Sequence, residues 1–186
     1  MCLPISRDVE ALRTQLYGVK AVAPASQRSA TVIFGSDNRV TGIVGTDNEY
    51  FVTQDWTLRA GREFCDGEIR AGRAACIVGA TVRDKLFGRV DPLGRTMRVG
   101  DLACEVVGLL EAKGQSSFGT DQDDIVLMPL RAFQRRIAGN TDVDRISVSA
   151  QDGVETAKVQ ADIERLMRDR RRIAPGRSEE HTSELQ

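Results

Sequence analysis

The sequence predicts an α+β fold, on three observations. With 186 residues, 41% of them hydrophobic and 28% charged, the chain has the composition of one globular unit or of two small units that share a core. Residues 74–110 have the pattern of a compact module made mostly of strands. From residue 125 onward the predicted order is strand, helix, strand, helix, which gives a mixed layer.

The first half of the chain is predicted to open with a helix, because Val9, Leu12 and Leu16 share one helical face and Gly18 follows as a breaker. Two β-branched runs on either side of the turn-rich residues 35–38 predict a hairpin. The predicted elements of this half are a helix at 7–17, strands at 30–34 and 39–44, a helix at 48–54 and a polar loop at 66–72.

The second half is predicted to hold a hairpin followed by two strand–helix pairs. Gly100 and Asp101 match a two-residue hairpin turn. Asp152 and Glu155 form a capping box at the start of the last helix. The predicted elements are strands at 74–78, 96–99, 102–110, 125–128 and 145–149, and helices at 80–87, 131–138 and about 152–172.

Composition argues against several classes of function. The chain has 26 Lys and Arg against 27 Asp and Glu, a net charge of −1 that does not suit a nucleic-acid binder. Aromatic residues make up 5% and include the single tryptophan Trp56, so base-stacking or sugar-binding surfaces have little material. The only histidine, His181, lies near the end, so histidine-based catalysis is not expected.

The cysteines do not predict a metal site. Cys2, Cys65, Cys76 and Cys104 lack the C-x-x-C spacing of zinc or redox sites. Three full pairings are open to them, and the favoured interpretation of Cys76 and Cys104 is an unpaired small residue in the core. The acidic run 121–124 lacks the Gly and Glu of a calcium loop. We therefore expect no metal and no cofactor.

A flexible, glycine-flanked loop contains Ser116, Ser117 and Phe118. A serine nucleophile needs a base, and a pair with Lys113 or Lys85 leaves a hydrolase as a minor alternative. Phe118 has two interpretations of equal weight: an apolar contact for a protein partner, or a side chain that folds back on the β module.

The ends of the chain look arbitrary. The longest apolar stretch, Ile125–Leu130, has six residues, far below the about 20 of a membrane helix. The chain opens abruptly at what looks like the start of a helix, and the polar residues 177–186 follow the breaker Pro175–Gly176. We expect a piece of a longer protein with a disordered, artefactual tail.

Several short motifs occur along the chain in a fixed order. Each motif is weak alone, but the whole series in this order points to one protein family. The motifs are Val40–Gly45, Leu58–Phe64, Ile77–Gly79, Lys85–Gly88, Asp91–Gly94, Val106–Gly108, Gly114–Gly119, Asp121–Asp124 and Pro129–Leu130. Together they resemble the periplasmic core domain of MacB-type ABC transporter permeases. The resemblance covers residues 5–176, nearly the whole chain.

The resemblance implies two subdomains. Residues 5–60 and 124–176 would form a discontinuous, porter-like α/β subdomain that lacks its last strand. Residues 61–123 would form an inserted, β-rich subdomain of the kind called Sabre. The change of organisation near residue 60 and the return near 124 agree with such an insertion.

The resemblance also implies a function without catalysis. The chain would be an extracytoplasmic domain that transmits ATP-driven conformational change and docks partners. The parent permease would lie in the bacterial inner membrane, with this domain facing the periplasm or the cell exterior. Its expected partners are an ATPase subunit or domain, the transmembrane helices of a homo- or heterodimeric parent and a periplasmic adaptor, with no nucleic acid. The expected partner contact is Gln115, Ser116, Ser117 and Phe118. The alternative is a stand-alone small-ligand binding module with its cleft between the subdomains.

Overall fold

The computed structural model describes residues 6–117 and 119–171. The predictions for Phe118, His181 and the tail at 177–186 lie outside these residues. Within them, no helix is both long and apolar enough to span a bilayer.

Short helices and strands alternate along the chain. The helices are α1 (Ser6–Gln15), α2 (Glu49–Thr53), α3 (Asp66–Ala71), α4 (Ala80–Val82), α5 (Leu130–Phe133) and α6 (Thr156–Arg171). Two π-helical turns, Arg83–Phe87 and Gln134–Ala138, continue α4 and α5. The strands are β1 (Val19–Phe34), β2 (Asp37–Thr46), β3 (Leu58–Gly61), β4 (Ala75–Val78), β5 (Thr96–Val99), β6 (Leu102–Leu110), β7 (Ile125–Pro129) and β8 (Arg145–Ala150).

Six of the strands close into a ring. Going around it, β1 pairs with β2, β2 with β7, β7 with β4, β4 with β6, β6 with β5, and β5 with β1 again. The β2–β7 and β4–β6 pairs are parallel and the others are antiparallel. Because the ring closes, each of its strands has a hydrogen-bonded neighbour at both edges.

The alternation of side chains along each strand divides the core in two. In β4, Cys76 and Val78 point into the ring, whereas Ala75 and Ile77 point out of it. Leu86 and Phe87 of the first π turn and Phe133 of α5 fill the interior. The outer face packs against aromatic residues of α2 and its surroundings, which are Tyr50, Phe51, Trp56 and Phe64.

A third cluster lies at the other end of the sheet. There β8 pairs with the first half of β1, and α1 and α6 cover this pair. Val9 and Leu12 of α1 and Val22 of β1 are buried, and Ile163 and Leu166 of α6 are partly buried.

The α+β class and most predicted elements are confirmed, including the hairpins around residues 35–38 and 100–101. The loop predicted at 66–72 is wrong, because α3 occupies it. The Cys65 N–H donates to Glu68 Oε2 (2.8 Å) in a capping box, and Gly72 ends the helix in the left-handed conformation. The strand β1 also begins at Val19, well before the predicted residue 30.

The unpaired state favoured for Cys76 and Cys104 is wrong as well. Both side chains are fully buried, as expected, but they form a disulfide across the neighbouring strands β4 and β6, with the Cα atoms 5.9 Å apart. Cys65 is a free, exposed cysteine. Disulfides of this kind persist in oxidising compartments such as the bacterial periplasm.

The ring draws strands from both predicted subdomains. β4, β5 and β6 lie within residues 61–123, and β1, β2 and β7 lie outside them. The division into two subdomains stays a prediction.

Candidate functional site

The loop predicted to contact a partner is the tip of a narrow hairpin between β6 and β7. The Ser116 N–H donates to the carbonyl oxygen of Thr120 (2.8 Å), and the Gln122 N–H donates to that of Gly114 (3.1 Å). Gln115 and Asp121 form an isolated antiparallel bridge. These bonds pair residues 114–116 with residues 120–122.

A buried carboxylate fixes the base of the hairpin. Asp123 is 5% exposed, and its two oxygens accept hydrogen bonds from the backbone N–H groups of Lys113 (2.8 Å) and Gly114 (2.9 Å). Hydrogen bonds to a charged acceptor are stronger than neutral ones, so this carboxylate clamps the strand that enters the hairpin to the strand that leaves it.

The same base packs tightly against the end of β4. A Cβ atom at Gly79 would lie 2.2 Å from the carbonyl oxygen of Asp123, so only glycine fits there. The Gly79 N–H donates to the carbonyl oxygen of Ile125 (2.9 Å), and the Thr81 hydroxyl donates to Asp121 Oδ2 (2.8 Å). The hairpin is therefore tied to the ring on more than one side.

An ion pair secures the strand that leaves the hairpin. Arg39 of β2 donates from Nε and Nη2 to the two oxygens of Asp124 (3.0 and 2.7 Å), and the Thr41 hydroxyl donates to Asp124 Oδ1 (2.7 Å). The hydrogen bond from Arg39 holds the pKa of Asp124 below its usual value, although partial burial opposes it.

Lys113 is engaged away from the serines. Its ammonium donates to the carbonyl oxygen of Gln54 (2.5 Å) and lies 4.3 Å from the centre of the Trp56 ring. These contacts are with Gln54 and Trp56 and include neither Ser116 nor Ser117, so they do not support the predicted hydrolase pair of this lysine. In the described part of the chain, no three His, Cys, Asp or Glu side chains are grouped as metal ligands.

Three of the four predicted contact residues lie in the described part of the hairpin. Gln115 and Ser117 are exposed, and Ser116 is half-buried with its Oγ accepting from the Thr120 N–H (3.2 Å). The sequence prediction missed Asp123, because its run of acidic residues looks solvated. Gly114, next to Lys113, could have indicated this site. A glycine here predicts a tight turn, and a tight turn leaves backbone N–H groups that need an acceptor such as a carboxylate.

Comparison with known proteins agrees with the motifs. The family described as MacB-like periplasmic core domain matches residues 4–166. The macrolide export ATP-binding/permease protein MacB of Rhodospirillum rubrum is 37% identical over 166 residues, which cover 88% of this chain and 25% of that protein. The pyoverdine export ATP-binding/permease protein PvdT of Pseudomonas syringae is 28% identical over 154 residues, 82% of this chain and 24% of that protein.

Two solved structures share the fold. The periplasmic region of MacB from Actinobacillus actinomycetemcomitans has a TM-score of 0.79 at 18% identity, over 90% of this chain and 75% of that one. The extracellular domain of the transporter YknZ from Gram-positive bacteria has a TM-score of 0.77 at 22% identity, over 91% of this chain and 84% of that one.

The chain spans about a quarter of the length of these curated relatives. The match of the family covers most of the chain, and the resemblance carried by the motifs is confirmed. The chain belongs to the family of MacB-like periplasmic core domains.

Proposed function

We propose that the chain is the extracytoplasmic domain of an ABC exporter permease in the bacterial inner membrane, where it transmits ATP-driven conformational change and docks partners. The relatives are named as export ATP-binding/permease proteins, and the chain corresponds to about a quarter of their length. ATP hydrolysis belongs to an ATPase domain or subunit of a homo- or heterodimeric parent, and the domain faces the periplasm or the cell exterior.

The observation that carries this proposal is the path from the helix pair to the ring. Asp8, near the start of α1, accepts a hydrogen bond from Arg170 Nε (3.1 Å), near the end of α6. The two segments of chain therefore meet side by side. β1 begins soon after α1, pairs with β8 through its first half and enters the ring through its second half. A displacement of the helix pair is thus passed to the ring through one continuous strand.

The hairpin tip supplies the docking part of the proposal. Gln115, Ser116, Ser117 and Phe118 would contact a partner such as a periplasmic adaptor, and the Asp123 clamp presents the tip on a fixed base. A preorganised contact loses less conformational entropy on binding than a mobile loop does.

A chimera tests the proposal. The matching 166 residues of the Rhodospirillum rubrum relative are replaced by those of this chain, and macrolide resistance and ATP hydrolysis are measured in cells that lack their own exporter. We expect the chimera to keep both activities. A chimera that hydrolyses ATP but confers no resistance, although it reaches the membrane, contradicts the proposed role.

Variants of the chimera separate docking from transmission. Replacing Gln115, Ser116 and Ser117 together by Ala is expected to lower resistance severalfold and to leave basal ATP hydrolysis unchanged. The control is Asp101→Ala, at the exposed β5–β6 turn, which should leave resistance unchanged. Equal effects of the two changes would refute a docking role for the tip.

A further inference from the structure

A hollow of about 420 Å³ lies beside α5, the π turn that continues it and the loop that follows. Its lining residues are Arg131, Gln134, Arg135, Gly139, Asn140 and Thr141. The volume lies within the range of small-molecule sites, and none of the lining residues is a carboxylate. Two arginines therefore line one hollow that has no acidic residue in its wall.

Backbone carbonyl groups hold both arginines in place. Arg131 Nη1 donates to the carbonyl oxygen of Arg70 (2.7 Å), and Arg135 Nη1 donates to that of Ala71 (3.2 Å), at the end of α3. A Cβ atom at Gly72 would lie 3.0 Å from the Cβ of Arg131, so α3 and α5 are in close contact here. Each guanidinium has five N–H donors, and α3 takes one from each.

Arg131 also lines a second hollow together with Glu10 and Asp47, and Asp47 is paired with Arg13. Within residues 6–117 and 119–171, neither Arg131 nor Arg135 forms a salt bridge, whereas Arg13, Arg39 and Arg62 each pair with a carboxylate at 2.6 to 2.9 Å. Two guanidinium groups one helical turn apart, without a salt bridge in the described residues, suit an oxyanion that can accept bonds from both.

The opposite wall adds polar groups on a fixed loop. Gln134 is 7% exposed, and its Nε2 donates to the carbonyl oxygens of Thr141 (2.9 Å) and Asp142 (3.3 Å). These bonds hold the loop that carries Asn140 and Thr141, which both line the hollow, and Asn140 Oδ1 accepts a further bond from the Asp142 N–H (3.3 Å). Both walls of the hollow are thus anchored before any ligand binds.

We propose that this hollow binds a phosphate group, carried either by a small molecule or by a phospholipid headgroup. A phosphate offers enough acceptor oxygens for both guanidinium groups and for the donors of Asn140 and Thr141. The proposal does not depend on the hairpin tip or on the transport role.

The test is a titration of the labelled chain with inorganic phosphate at constant ionic strength, followed by the amide signals of Gly139, Asn140 and Thr141 in NMR spectra. We expect saturable shifts that chloride does not produce. Arg135→Gln should weaken binding about tenfold. The matched control is Arg136→Gln, which removes the same charge one residue away and outside the lining, and it should leave the affinity within about twofold.

Thermal unfolding checks that each variant is folded. If Arg135→Gln does not fold, Arg135→Lys is used in its place. Lysine keeps the charge but loses the planar fork, so it should also bind more weakly than the unchanged protein. Non-saturating shifts, or equal weakening by the Arg136 and Arg135 variants, would overturn the proposal.

Vesicles distinguish the two sources of the phosphate group. Phosphatidylcholine vesicles with and without phosphatidic acid are sedimented with the chain. Sedimentation that requires phosphatidic acid and is lost in Arg135→Gln identifies a lipid headgroup. Saturable binding of inorganic phosphate without sedimentation identifies a small-molecule phosphate.

Discussion

The closed ring and the helical end of this molecule are stabilised in different ways. In the ring, every strand is paired at both edges and the interior side chains are almost fully buried. At the helical end, β8 has β1 as its one strand partner among the described residues, and its own residues are exposed or half-buried. One sheet therefore contains a rigid part and a compliant part, and the long strand β1 joins them.

The largest difference between the two regions is expected in the loss of stability when a core side chain is removed. Phe133 is fully buried inside the ring, and Phe133→Ala is expected to lower the free energy of unfolding by about 3–5 kcal/mol. Leu166→Ala in the partly buried third cluster should cost about 1–2 kcal/mol. Urea denaturation measures both. Equal costs would remove the distinction between the two regions.

The disulfide should contribute the next largest effect, again within the ring. It closes a loop with a sequence separation of 28, so replacing Cys76 and Cys104 together by Ala should destabilise the chain by about 3 kcal/mol. Cys65→Ser is the control, because this thiol is exposed and outside any disulfide, and serine keeps a suitable N-cap for α3. A double variant as stable as the control would show that the bond adds nothing to the ring.

The clamp at the hairpin base is expected to have an intermediate effect. Asp123→Asn keeps the shape but removes the charge and one of the two acceptors, so the free energy of unfolding should fall by about 2 kcal/mol. The control Asp101→Asn, on the exposed β5–β6 turn, should change it by less than about 0.5 kcal/mol. If both substitutions cost the same, the hairpin is not anchored as described.

Loss of the Arg39–Asp124 ion pair in acid should lower the free energy of unfolding by less than the substitutions above. Since the pKa of Asp124 is lowered in the folded state, the pair stabilises the fold above the usual value of 3.8, and this contribution is lost as the pH falls through the lowered pKa. The pKa of Glu68, lowered by Arg62, acts with the same sign, whereas the pKa of the half-buried Asp47, raised by desolvation, acts with the opposite sign.

Acidification from neutral pH to below the pKa of Asp124 should lower the free energy of unfolding of both proteins. The decrease should be smaller in Asp124→Asn, by roughly 1 kcal/mol, because this variant has no carboxylate to protonate at position 124. Thermal unfolding at a series of pH values measures this difference. Parallel pH profiles for the two proteins would contradict the assigned role of Asp124.

Local patterns in the sequence predicted most single elements of the fold. The turn at Gly100 and Asp101 was found because its residue types are nearly diagnostic. The first part of β1 was missed, because residues such as Ala23, Pro24 and Ala25 have little strand propensity. Their extended conformation comes from pairing with β8, more than a hundred residues away.

Long-range geometry explains what else the sequence did not predict. The ring depends on parallel pairs such as β2 with β7, which no local pattern specifies. The Cys76–Cys104 bond follows from the register of β4 and β6. The loop at 114–119 was singled out from its composition, and its role as a partner contact stays a prediction. The clamp at Asp123 and the arginines that line the hollow became visible only in the structure, which brings separate segments together.

Amide hydrogen exchange, resolved by residue, tests the division into a rigid ring and a compliant helical end most directly. The structure predicts that amides in β4, β6 and β7 exchange only on global unfolding, with the free energy measured by denaturant. Amides in β8, α1 and α6 should open at a clearly lower free energy. Uniform protection across the sheet, or faster exchange in the ring than in α6, would contradict the proposed division of the molecule.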